Sequence, residues 1–311
     1  MVDDGAPIVV GVDGSAESLR AARWAGGLAE RFDVPLHILT ATPYLGHSPS
    51  DVALAARVAA ISEHREWADR YLDAARSAVL GDHPHVPVTV ASLDEPVDAA
   101  LDTASKSARL LVLGCDDVTA LGALLVGSTT LATLAHAACP VVAWRGDTVK
   151  PSRKVIVVGV DGSGRDGGAL GVAFTLADRL EVPLRVVHSW ALKGFTQIHR
   201  PIAVEWDENT KGQWRRLNEL LDPWRERYPR VEITRIGEAA KASRALVLQS
   251  VGAQLVVLGY RRRPPLGHPP LGSTSMNLLH HSAIPVTLCA FDEDAEETTA
   301  LAQDTSSSSN D

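Results

Sequence analysis

Short, uninterrupted apolar runs recur along the chain, and each is followed by a stretch with apolar positions at helical spacing. Residues 8–12 (IVVGV) form a run too short for a helix, after which Leu19, Ala22, Arg23 and Leu28 follow at helical spacing. Runs at 36–39, 86–90, 110–113 and 141–144 read as further strands, with helices predicted over 52–79, 97–107 and 131–137. The same order returns with strands at 155–160, 184–187, 231–234, 255–258 and 286–288. Strands that are apolar at successive positions, separated by helices, are strands covered on both faces. The pattern therefore predicts an α/β chain: two tandem, doubly wound parallel sheets, Rossmann-like, each of five strands and four helices.

The repetition extends to wording. VVGVDGS occurs at 9–15 and again at 157–163. In each copy a glycine at the end of the fourth strand (Gly114, Gly259) stands thirteen residues before a second glycine followed by serine (Gly127 and Ser128; Gly272 and Ser273). Asp13 aligns with Asp161, Pro35 with Pro183 and Pro140 with Pro285. This internal repeat divides the chain into units at 1–148 and 149–291, joined by a polar seam near 146–154. Residues 292–311 are acidic and then serine-rich, too polar to bury a core, and read as a disordered tail.

Bulk properties narrow the classes. A length of 311 residues suits two domains, and a formal charge of −8 argues against nucleic acid as a partner. Three scattered cysteines form neither a disulfide framework nor a zinc cluster. No uncharged apolar run reaches the roughly 18–20 residues of a membrane span, and the first residues lack a secretory signal's basic and apolar regions. A cytoplasmic protein with no membrane partner is expected.

Chemistry belongs beyond the carboxyl ends of such strands, where the winding direction reverses. Asp13 and Asp161 end the first strand of each unit and can accept a hydrogen bond from a ribose hydroxyl or a base amino group. An Asx-turn or helix cap explains them equally well. Gly114 and Gly259 would let backbone N–H groups approach a phosphate. The glycine–serine pairs open the next helix, whose free N–H groups and positive dipole end favour an anion. No Walker lysine motif, nucleophile elbow or zinc-protease motif is present. Trp206, Trp214 and Trp224 read as packing residues, and Trp190 as an interior residue more than a base-stacking one.

Taken together, the two VVGVDGS phrases, the strand-end glycines, the GST triplets and the CPVVAW and IPVTLC strands resemble the universal stress protein family in its tandem form. The resemblance spans residues 7 to about 290. It implies strand order 3-2-1-4-5 in each unit and pairing of fifth strands, here between the two halves as an internal pseudo-dimer, with a homodimer left open. It also implies an adenine nucleotide, ATP, as ligand: Asp13 and Asp161 toward the adenosine, the backbone near Ala41 and Ser189 on the adenine, and Gly114, Gly127, Ser128, Gly259, Gly272 and Ser273 on the phosphates.

The family's signature has a further glycine where this chain has Asp117 and Arg262. The first loop thus carries Asp116 and Asp117, which would oppose a triphosphate unless Mg²⁺ bridged them. The second carries Arg261, Arg262 and Arg263, which suit phosphate, together with four prolines. A stress-response, ATP-binding protein is expected, non-catalytic or a very slow ATPase, with the second unit as the better site. Two other readings stand beside it: a scaffold that has lost nucleotide binding, and a nucleotide-dependent enzyme on a related fold.

Overall fold

The computed structural model describes residues 5–41, 51–115, 127–189, 203–238, 240–262 and 271–291, with backbone alone at 51–61 and 203–210. Among these the first half runs β1 (Ile8–Gly11), α1 (Ala16–Phe32), β2 (Leu36–Ala41), α2 (Asp51–Asp82), β3 (Val88–Leu93), α3 (Val97–Ser105), β4 (Leu110–Gly114), α4 (Ser128–His136) and β5 (Val141–Trp144). The second half runs β6 (Ile156–Val160), α5 (Gly167–Leu180), β7 (Leu184–Ser189), α6 (Ala203–Arg227), β8 (Ile233–Glu238), α7 (Ala242–Gln249), β9 (Leu255–Arg261), α8 (Ser273–His281) and β10 (Val286–Phe291). Every strand and helix anticipated from the apolar pattern is present. Several strands run on by a few residues at their carboxyl ends, and α4 begins at Ser128 directly after Gly127, as the glycine–serine pair indicated, three residues before the apolar spacing at 131–137.

The strand order is β3-β2-β1-β4-β5-β10-β9-β6-β7-β8, so the expected pair of sheets is a single ten-stranded sheet. Each half keeps the 3-2-1-4-5 order with parallel pairing, and the halves join where β5 meets β10 antiparallel, Val141 opposite Leu288 and Ala143 opposite Val286. The joining strand Val141–Trp144 is buried at every position, as a strand in the middle of a sheet must be.

Alternate residues of each strand feed two separate cores. Ile8 and Val10 point into a layer with Leu28 of α1 and Leu72 of α2, while Val9 points to the other face with Leu101 of α3 and Leu134 of α4. Both layers continue across the junction into the second half, for example through Phe174 on one face and Leu278 on the other. Trp224 stacks on Phe174 at 5.7 Å and Trp214 packs against the same layer, so both are packing residues as predicted. Trp190, the side chain of Trp206 and the tail lie outside the described residues. The winding reverses between β1 and β4, and between β6 and β9, which places a crevice above the carboxyl end of β1 and another above β6.

Candidate functional site

Each crevice is a real cleft. The one above β6 has a volume of about 270 Å³ and is lined by Asp161, Ser189, Gly259, Arg261, Gly272 and Ser273, six of the seven residues singled out in that half. The one above β1 has a volume of about 410 Å³ and is lined by Asp13, Ala41 and Gly114, with Thr129 and Thr130 of α4. Gly127 and Ser128 stand at the start of α4, exposed, immediately before those threonines.

The aspartates are turn-formers at the edge of each cleft. Asp13 Oδ1 accepts the N–H of Ser15 at 3.0 Å, and Asp161 Oδ1 accepts that of Ser163 at 2.8 Å. Both are thus Asx-turns, and neither caps its helix: Ser15 caps α1 and Asp166 occupies the cap position of α5. Gly14 and Gly162 follow with φ of +85° and +71°, a backbone that requires glycine. Burial alone would raise the Asp13 carboxyl, but hydrogen bonds from Ser15 and Ser18 outweigh it and hold the group below the usual value of 3.8.

The strand-end glycines do different jobs. A Cβ on Gly114 would lie 2.7 Å from the backbone N of Ser18, so this glycine exists to let α1 approach β4. The sequence-based role in admitting phosphate is not needed to explain it. Gly259 does not end its strand, which continues to Arg261, and a Cβ there would meet Phe291 at an ordinary 3.5 Å. At the helix openings the position reverses. Gly127 and Gly272 are themselves the caps, at φ −56° and −69°, and a Cβ on either would meet nothing within 4 Å. Neither backbone angle nor packing asks for glycine there. Gly272 and Ser273 at the start of α8 line the second cleft, whereas Gly127 and Ser128 at the start of α4 do not line the first.

Arg262 is the clear correction. Its Nη2 donates to the carbonyl oxygen of Ala137 at 2.6 Å, at the C-terminal end of α4 in the other half, so it is drawn away from the cleft that Arg261 lines. Tyr260, its neighbour on β9, donates its hydroxyl to Leu134 O of the same helix. Asp116, Asp117, Arg263 and the four prolines lie outside the described residues.

Several lining residues were not foreseen. Trp67 and Tyr71 of α2 line the first cleft, and the Tyr71 ring lies over Gly14 so closely that a Cβ there would collide with it. Their i, i+4 spacing on a helix beside the switch point was the available signal. Arg165 and Asp166 line the second cleft; they align in sequence with Glu17 and Ser18, of which Ser18 alone lines the first among the described residues. Asp166 accepts the N–H groups of Asp161 at 3.1 Å and Gly162 at 3.0 Å. Burial pushes its carboxyl above the ordinary value in spite of those donors. His188, buried where the first half has Thr40, sits 3.1 Å from Val160 O and 3.0 Å from Gln213 Oε1.

The cysteines offer no nucleophile. Burial pushes the Cys139 and Cys289 thiols up to about 12, and Cys115 is buried against Thr130 Oγ1 at 3.5 Å. Among the described residues, no group of three or more His, Cys, Asp or Glu is arranged to hold a metal ion, and no helix is long and apolar enough to cross a membrane.

With these clefts in view, the comparison with known families is decisive. The model of the universal stress protein family matches twice, over residues 6–145 and 152–290. The chain belongs to the universal stress protein family. A universal stress protein of Mycolicibacterium smegmatis (strain ATCC 700084 / mc(2)155) is 33% identical over 282 residues, covering 90% of this chain and 95% of that one. One from Mycobacterium tuberculosis (strain ATCC 25618 / H37Rv) is 34% identical over 263 residues, covering 82% and 86%. Among solved structures, a universal stress protein of Archaeoglobus fulgidus DSM 4304 shares the fold, with a TM-score of 0.67 at 18% identity over 91% of this chain and 98% of that one. One match covers β1 to β5 and the other β6 to β10.

Proposed function

We propose that this universal stress protein binds an adenine nucleotide, ATP, without turning it over at any useful rate, and that the second half is the stronger phosphate site. The observation that carries this reading is the opening of α8. Gly272 leaves the helix N-terminus uncovered, Ser273, Thr274 and Ser275 line the same cavity, and Arg165 and Arg261 stand beside it. A helix N-terminus with its dipole, hydroxyl donors and two guanidinium groups together favour a polyanion. Asp161 and Ser189 lie at the opposite side of that cavity, where a sugar and base would extend. The two carboxylates that line it, Asp161 and Asp166, accept backbone N–H groups of their own turn, a turn-forming role that favours binding over hydrolysis. Binding would then bias partners or conformation in the stress response.

The competing reading, a scaffold without ligand, draws on one observation: Arg262 is committed to Ala137. Titration of the full chain with ATP, with and without Mg²⁺, separates the two. Gly272→Leu should abolish the binding while leaving the fold intact, since a Cβ there meets no atom of the described residues within 4 Å. Gly127→Leu should leave ATP affinity within about twofold. The reverse pattern would move the site to the first half, and the absence of saturable binding would favour the scaffold.

A further inference from the structure

We infer that the two clefts differ in ligand class: the first takes a nucleoside, a base and sugar without phosphate, held against Trp67 and Tyr71, while the phosphorylated ligand goes to the second. This rests on the reading that the strand-end clefts bind adenine nucleotides. Three differences between corresponding positions carry it.

The first is an aromatic wall. Trp67 and Tyr71 lie 6.0 Å apart at 35°, and the Arg70 guanidinium sits 3.8 Å from the Trp67 ring centroid. Trp67 is nonetheless 44% exposed, an unusual state for so large an apolar ring, and it borders the cavity. In the second half no side chain of α6, the counterpart of α2, lines the cleft among the described residues.

The second difference is room. Thr40 of β2 is replaced by His188 in β7, and Ser18 by Asp166. Thr40 lines the first cleft, whereas His188 is held by its contacts to Val160 and Gln213 and does not line the second; the volumes are about 410 and about 270 Å³. A planar base fits better in the wider cleft.

The third is charge. In sequence Arg165 of the second half aligns with Glu17, which pairs with Arg20 at 2.6 Å and does not line the first cleft. Carboxylates line both clefts, Asp13 the first and Asp161 and Asp166 the second, but among the described residues only the second is also lined by arginines, Arg165 and Arg261. Asp13 can accept from a sugar hydroxyl but repels a phosphate, so a nucleoside keeps the favourable contact and avoids the unfavourable one.

The test titrates the full chain separately with adenosine and with ATP, for the unaltered protein, Trp67→Leu, Trp67→Phe and Arg261→Glu. Adenosine should bind, weaken about tenfold or more in Trp67→Leu, recover most of its affinity in Trp67→Phe, and ignore Arg261→Glu. ATP should weaken in Arg261→Glu and ignore Trp67→Leu. Thermal melts of the Trp67 variants should stay close to the parent, as expected for an exposed position. Failure of adenosine to bind, or an adenosine affinity indifferent to Trp67→Leu, overturns this inference. So does loss of ATP binding in Trp67→Leu, which would place both ligands in the first cleft. Adenosine binding that depends on Trp67, without ATP binding, would overturn the proposed function and the assignment of the phosphorylated ligand to the second cleft, leaving only the nucleoside site.

Discussion

At the scale of residues, identical letters in the two halves perform different tasks. Gly114 and Gly259 align in sequence, yet only Gly114 is pressed against backbone, with Ser18 N 2.7 Å from where its Cβ would be. Backbone cannot step aside as a side chain can. Gly114→Ala should therefore cost about 1–3 kcal/mol of stability, against about 0.5 kcal/mol or less for Gly259→Ala, in paired urea denaturation curves. Equal effects would contradict the packing role. The sequence made Gly114 legible as a special position but not the reason for it, because the partner is the first turn of α1, nearly a hundred residues earlier in the chain. Trp67 and Tyr71 escaped notice for a similar reason: on a long helix they read as ordinary apolar positions, and only the fold brings α2 to the cleft. Asp166 adds a pH signature. Its folded carboxyl binds its proton more tightly than the unfolded one, so folding retains a proton as pH rises through the window above 3.8. The stability of the parent relative to Asp166→Ser should accordingly fall as pH rises through that window. A difference that rises with pH, read from melts at several pH values, would contradict the burial argument.

At the scale of elements, the last helix of each half is held at its C-terminus by a guanidinium from the other half. Arg262 donates to Ala137 O at the end of α4, and Arg145, itself buried, donates to Ser282 O at the end of α8 at 3.2 Å. A cation on the final carbonyls of a helix satisfies an orphan acceptor and complements the dipole. The two arginines do not align with each other in sequence, so the same contact was reached independently in each half. Arg262→Ala should lower stability by about 1–3 kcal/mol while leaving ATP affinity within about twofold. Unchanged stability with a collapse of ATP binding would return Arg262 to the phosphate site. The strands and helices themselves were readable from apolar runs and their spacing. The β5–β10 junction was anticipated only through the family resemblance, since two short apolar runs do not say which edge seeks which partner.

At the scale of the whole molecule, a duplicated unit has become one ten-stranded sheet with two continuous cores and two unequal clefts. The duplication fixes the fold and the placement of both clefts at winding reversals. The divergence sits in the linings of described residues: arginines and a buried carboxylate in one, an aromatic pair and a turn-forming carboxylate in the other. The account turns on whether the second lining holds a nucleotide. Isothermal titration of the unaltered full chain with ATP tests this most directly. The predicted result is saturable binding that Gly272→Leu removes and Gly127→Leu spares; no saturable heat, with or without Mg²⁺, would contradict it.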